Sequence, residues 1–190
     1  MRIGITGGIG SGKSTVGQVL ARIGYPLYLA DSRAKWLIEH DAQLAARIAQ
    51  LMGPQTYTDG RYNRPYVAQR VFGNPSLLQQ LNALVHPAVA ADFERWANAQ
   101  HGLAFMEAAI LFESQFDRLV HRTIAVTAPD HVRIERVMRR DGAVRQQVEA
   151  RMLAQMPPQE LAQRAHFCIN NDGKTLILPQ IISILQQLSA

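Results

Sequence analysis

Eight residues near the N-terminus, Gly7-Gly8-Ile9-Gly10-Ser11-Gly12-Lys13-Ser14, constrain this chain more than any other segment. They complete the pattern G-x-x-x-x-G-K-[ST] directly after the apolar stretch Ile3-Gly4-Ile5, and the apolar positions Val16, Val19, Leu20 and Ile23 then recur at helical spacing. A strand, a glycine turn and a helix in that order form a loop that wraps phosphates. Glycines let backbone N–H groups turn inward, and the helix aims its N-terminal amides and positive dipole end at the anion. Lys13 can reach the outer phosphates and the Ser14 hydroxyl suits a phosphate-bound Mg²⁺. The loop thus assigns Gly8, Gly10, Ser11, Gly12, Lys13, Ser14 and Thr15 to a nucleoside triphosphate, with Ser14 as the metal contact.

Alternation of short apolar runs with helical stretches predicts strands at Arg2–Thr6, Pro26–Leu29, Leu103–Glu107, Arg122–Thr127 and Phe167–Ile169. Five such strands separated by helices indicate an α/β fold with a parallel sheet, whose ligands sit at the carboxyl ends of the strands. The interval 41–100 holds no clear strand pair except around Tyr57, with Asp59-Gly60 as a turn. Pro65, Pro75 and Pro87 predict three short helices there. A second helix-rich interlude spans Pro129–His166 and is broken at Pro157-Pro158. The expected organisation is a three-layer P-loop kinase-like core of a five-stranded parallel sheet over 1–40, 101–128 and 166–190. A helical acceptor-binding insertion occupies 41–100 and a helical lid 129–165.

At 190 residues and 47% hydrophobic, the chain can bury a real core. Formal net charge is +5, and apart from Lys13, Lys35 and Lys174 the basic residues are arginines, whose planar fork suits phosphate. The aromatic-rich basic motifs of single-strand binders and zinc-finger spacing are missing, so no nucleic acid partner is expected. Cys168 stands alone, which excludes an internal disulfide and fits the cytoplasm. The sequence shows neither a signal-peptide pattern nor an apolar run of about twenty residues, so neither export nor a membrane span is expected. The six histidines are scattered without metal-ligand spacing.

Asp31 lies eighteen positions beyond Lys13, after one helix and a returning strand, where a carboxylate can take a proton from an attacking hydroxyl; it also suits a helix N-cap. Arg133, Arg136 and Arg140 share one helical stripe. Arg140 reads as a stabiliser of the transferring phosphoryl group, Arg133 as a solvated helix-end charge. Glu107 ends an apolar strand, as a carboxylate that holds a metal-bound water does and as many buried strands do. His86-Pro87 reads as a turn starting a helix or as a substrate contact. Arg64 and Arg70 read as anion ligands or as an exposed face, and Trp36, Trp96, Phe72 and Phe112 as core. The guanine-specific N-K-x-D element and the L-S-G-G-Q-type signature are absent. These absences leave a compact P-loop kinase of a small acceptor.

Several collinear segments together resemble the dephospho-coenzyme A kinase family. They are Ile3 through Val16, Ala30-Asp31, Asp59-Gly60 with Arg64, Arg70-Val71-Phe72, His86-Pro87 and Ile110-Leu111-Phe112-Glu113, followed by Arg136 with Arg139-Arg140-Asp141, Gln155, and Ile169-Asn170-Asn171-Asp172-Gly173. The resemblance implies a monomer or weak homo-oligomer that uses ATP and Mg²⁺ to phosphorylate the ribose 3′-hydroxyl of dephospho-coenzyme A, the last step of coenzyme A synthesis. It implies catalytic roles for Asp31, Lys13 and Arg140. Arg136, Arg140 and Asn171 join the ATP contacts, and Asp31, Arg64, Arg70, His86 and Glu113 position the acceptor. Leu29, Ala109 and His166 depart from the family pattern. A kinase of shikimate, gluconate or a nucleoside, or a non-enzymatic nucleotide-dependent binding module, are the alternatives.

Overall fold

A computed structural model describes residues 1–189. The chain divides into two compact units, Met1–Leu29 with Gln100–Ala190, and Ala30–Ala99. The first is built on five strands, β1 (Arg2–Thr6), β2 (Leu27–Leu29), β5 (Ala104–Glu107), β6 (Arg122–Thr127) and β7 (Phe167–Asn170). They run in the order β2-β5-β1-β6-β7, every neighbouring pair parallel. β1 is therefore central, with Ile5 opposite Glu107 on one side and Ile124 on the other.

Alternation along β1 explains the layers. Ile3 and Ile5 face a cluster with Phe105, Ile124, Val126 and Ile169, closed by Val16 and Leu20 of α1 (Lys13–Arg22) and Ile181, Ile184 and Leu188 of α9 (Ile177–Ser189). Gly4 faces the opposite layer, where a Cβ would stand 2.8 Å from Leu111. On that face Ala125 packs with Phe112 and with Leu161 of α8 (Pro158–Arg164). Helices α6 (Asp130–Asp141) and α7 (Arg145–Leu153) pack together through Ile134, Val137 and Val148, with Ile9 against them.

The second unit contains α2 (Ala30–His40), α3 (Ala42–Met52), the hairpin β3 (Tyr57–Thr58) and β4 (Arg61–Tyr62), α4 (Arg64–Val71) and α5 (Pro75–Asn98). Helix α2 groups here with the helices that follow it, whereas the sequence pattern places it with the core. Its buried Leu37 and the bidentate bond from Arg33 to Asp92 of α5, at 2.8 and 2.9 Å, account for that. Asp41 caps α3 by accepting from the N–H groups of Gln43 and Leu44.

Pro65 and Pro75 stand in the first turns of α4 and α5, but Pro87 lies inside α5, which runs unbroken for 24 residues. The expectation of a third helix starting at Pro87 is corrected. A mid-helix proline costs about 3 kcal/mol through its missing N–H and its clash with the preceding turn. Pro87 is exposed, while Leu81, Val85, Val89 and Phe93 bury on the other face, each contributing roughly 1.5–3 kcal/mol, so burial outweighs the break. Trp36 and Phe72, read as core from their size, are 45% and 89% exposed. Trp36 is covered by cation and ring partners instead, with the Arg33 guanidinium 4.3 Å from its centroid and His40 stacked at 4.6 Å.

Candidate active site

The turn from β1 into α1 depends on glycine at two positions. Gly10 has φ +77° and Gly12 has φ +94°, where an L side chain is strained. Space imposes the same choice, since a Cβ on Gly10 would lie 2.5 Å from the Arg133 carbonyl oxygen and one on Gly12 would collide with the Asn171 amide. Lys13 and Ser14 then open α1. Lys13, Ser14, Arg136 and Arg140 border one open cleft of about 230 Å³ at the carboxyl end of β1.

Ser14 Oγ donates to Glu107 Oε1 at 2.6 Å, joining the first turn of α1 to the end of β5. Glu107 is buried against α1 at Gly17, where a Cβ would stand 3.1 Å from Oε2. A hydroxyl and a carboxylate held this close form an all-oxygen donor pair beside the phosphate loop, which fits Mg²⁺, an ion that binds through few protein oxygens and the substrate's phosphates.

Helix α6 covers the loop from outside. Arg133 is 3% exposed, correcting its reading as a solvated charge. Its position one turn into α6 faces the loop, so Nε donates to the Ile9 carbonyl at 3.0 Å and Nη1 to Asp130 at 3.0 Å. Arg136 makes long bonds to the carbonyls of Gly10 and Ser11 at 3.4 and 3.5 Å and to Asn171 Oδ1 at 3.3 Å. Asn171 in turn donates Nδ2 to the Ser11 carbonyl at 2.9 Å. Arg140 is clamped by Asp141 at 2.7 and 3.0 Å, which holds the Asp141 carboxyl below its ordinary range.

The remaining candidates are distributed between the two units. Asp31 is inside the first turn of α2, which starts at Ala30, so it is not the N-cap; its carboxylate is exposed. Arg64 opens α4 and is exposed. Arg70 closes that helix, donating to the Tyr66 hydroxyl at 3.1 Å. His86 stands mid-helix in α5, not at a helix start, and burial pushes its imidazole below the usual range, favouring the neutral ring. Glu113 belongs to the sheet unit and accepts from the Met156 N–H at 3.4 Å. The departure at His166 is explained locally. Its Nδ1 accepts the Thr123 N–H at 3.2 Å while its own N–H donates to Thr123 Oγ1 at 3.2 Å, tying the end of α8 to β6.

Comparison with known proteins decides the family. The family model described as dephospho-CoA kinase matches residues 1–176. The chain belongs to the dephospho-CoA kinase family. A relative named dephospho-CoA kinase from Porphyromonas gingivalis is 40% identical, covering 97% of this chain and 92% of the relative. The crystal structure of TT1252 from Thermus thermophilus is similar at TM-score 0.87 and 36% identity, covering 100% and 98% of the two chains. Shikimate kinase from Aquifex aeolicus, at TM-score 0.53 and 18% identity over 100% of this chain and 96% of that one, shares the P-loop kinase fold alone. Among the described residues, no helix is long and apolar enough to cross a membrane.

Proposed function

We propose that this chain transfers the γ-phosphoryl group of ATP to the ribose 3′-hydroxyl of dephospho-coenzyme A, giving coenzyme A. The observation that carries the reading is a complete phosphate loop, with Ser14 bonded to Glu107, inside a chain whose dephospho-CoA kinase match runs from residue 1 to 176. The fold alone serves other acceptors, as shikimate kinase illustrates, so the acceptor rests on the family match.

Phosphoryl transfer asks a protein chiefly for positioning and charge stabilisation. The loop amides and Lys13 hold the phosphates, and Arg136 and Asn171 support the loop behind them. Ser14 and Glu107 would hold Mg²⁺, which when bound neutralises charge on the β- and γ-phosphate oxygens. Asp31, with an exposed carboxylate early in α2, accepts the proton of the 3′-hydroxyl as its oxygen attacks phosphorus and the bond to the ADP oxygen breaks. Arg140 stabilises charge on the transferring group, for which it must exchange part of its bond to Asp141. Arg64, Arg70, His86 and Glu113 orient the acceptor. We assign 129–165 as the lid, 41–100 as the acceptor-binding insertion, and the cytoplasm as the place of action.

The test is incubation with Mg-ATP and a panel of dephospho-coenzyme A, shikimate, gluconate and nucleosides, read by mass spectrometry. One added phosphoryl group on dephospho-coenzyme A supports the reading. Transfer to another acceptor in its place, or ATP binding without any transfer, overturns it.

A further inference from the structure

We propose that Gln155 is a positioning residue for this reaction: it fixes the Ile9 peptide, and through it the shape of the phosphate loop is tied to the α7–α8 segment. The proposal rests on the nucleotide-binding reading above. Ile9 stands in the outer turn of the loop, and both of its peptide groups are engaged from outside it. Its N–H donates to Gln155 Oε1 at 2.8 Å, across 146 residues of sequence, and its carbonyl accepts from Arg133 Nε at 3.0 Å. One peptide residue is thus gripped at both ends by side chains from the same side of the loop.

Both gripping residues are themselves held. Arg133 is buried and bonded to Asp130. Gln155 follows α7, where its backbone N–H donates to the Met152 carbonyl at 3.2 Å. The next residue, Met156, gives its N–H to Glu113 and packs against the cluster of Phe112 and Leu161. Pro157 and Pro158 come next, with fixed φ, so the short connection into α8 has little freedom. A glycine-rich turn deforms cheaply, and its shape must be imposed by neighbours. A neutral amide oxygen suits that task, because it holds the N–H without placing a charge that would repel phosphate.

The identity of Gly8 follows from the same arrangement. Gly8 is not among the glycines with positive φ, so its backbone does not demand glycine. A Cβ there would collide with the Arg133 guanidinium and stand 3.4 Å from Gln155 Oε1. Gly8 is glycine because the grip on Ile9 passes over it.

The experiment compares the wild-type chain with Gln155→Met, of similar length but without the oxygen, and Gln155→Glu, which retains one. In Gln155→Met, kcat falls about 3–10-fold, the worth of one neutral hydrogen bond. KM for dephospho-coenzyme A stays unchanged, and the Ile9 amide, followed by NMR hydrogen exchange without nucleotide, exchanges faster while the amides of the sheet do not. Gln155→Glu restores slow Ile9 exchange and raises KM for ATP through its added charge. Wild-type exchange at Ile9 in Gln155→Met, or loss of protection spread evenly over the fold, overturns the proposal. Ile9 exchange is read without acceptor, so a wild-type chain inactive on dephospho-coenzyme A would overturn the function and leave this result standing.

Discussion

In the sheet unit the site residues are already bonded to one another: Ser14 to Glu107, Asn171 and Arg136 to the Ser11 carbonyl, Ile9 to Gln155 and Arg133. In the helical unit Asp31 and Arg64 are exposed at the starts of their helices, and Arg70 rests on the Tyr66 hydroxyl of its own helix. On the proposed reading, the phosphate grip is held by bonds inside the sheet unit, whereas Asp31 and Arg64 would gain their contacts from the acceptor. Preorganised dipoles need no rearrangement when charge develops, and residues that wait in water contribute mainly through the contacts they gain on binding.

The largest test of that division is Asp31→Asn. Turnover should fall roughly 10²–10⁴-fold, as for loss of a general base, while ATP affinity from calorimetry stays within about twofold. Parallel loss of ATP binding would place Asp31 in the donor grip and dissolve the division. Glu107→Gln comes next, with kcat lowered about 10–100-fold, the range of a charge-assisted hydrogen bond, and more Mg²⁺ needed for half-maximal rate. Unchanged Mg²⁺ dependence would reduce Glu107 to packing. Arg64→Ala should raise KM for dephospho-coenzyme A about 10-fold with kcat steady and melting temperature little changed, since its side chain is exposed and a charge held in water contributes little to stability. A drop in melting temperature would show that the helical unit also depends on its site residues.

The smallest effect concerns Asp172, whose carboxyl is held at about 2 by the N–H groups of Thr175 and Lys174. Its folded pKa lies below the unfolded value of 3.8, so the stabilisation is full above that pH and disappears as pH falls toward 2. Asp172→Asn should therefore melt slightly lower than the wild type at pH 7, and the gap should close between pH 4 and 2. A gap at pH 2 as wide as at pH 7 would mean that the turn is held by something other than this charge.

The phosphate loop, the five strands and the Asp59-Gly60 hairpin are legible in the sequence because each rests on local rules: apolar runs, glycine at positive φ, and turn residues. Pro87 misleads because a rule about backbone loses to burial on the far side of α5. Trp36 and Phe72 mislead because size says nothing about where a ring points: Trp36 lies on an exposed part of α2, and Phe72 follows the end of α4 in extended backbone. The stripe of Arg133, Arg136 and Arg140 is visible, but only the packing of α6 on the loop shows that the first is buried and the last borders the cleft. Gln155 stands out as part of a family pattern, yet its partner lies 146 residues away and is a backbone amide, which leaves no trace in residue identity.

The position of β1 at the middle of the sheet also governs how the chain must be made. The ribosome releases it well before its two neighbours, β5 and β6, which begin at residues 104 and 122. The whole of Ala30–Ala99 is synthesised in between and has its own contacts available earlier. The central strand and the phosphate loop attached to it thus wait unpaired through the synthesis of that entire unit, the kind of long-range pairing that slows folding and leaves apolar strands exposed. For a growing polypeptide, the phosphate-loop segment is made early and meets its neighbouring strands late.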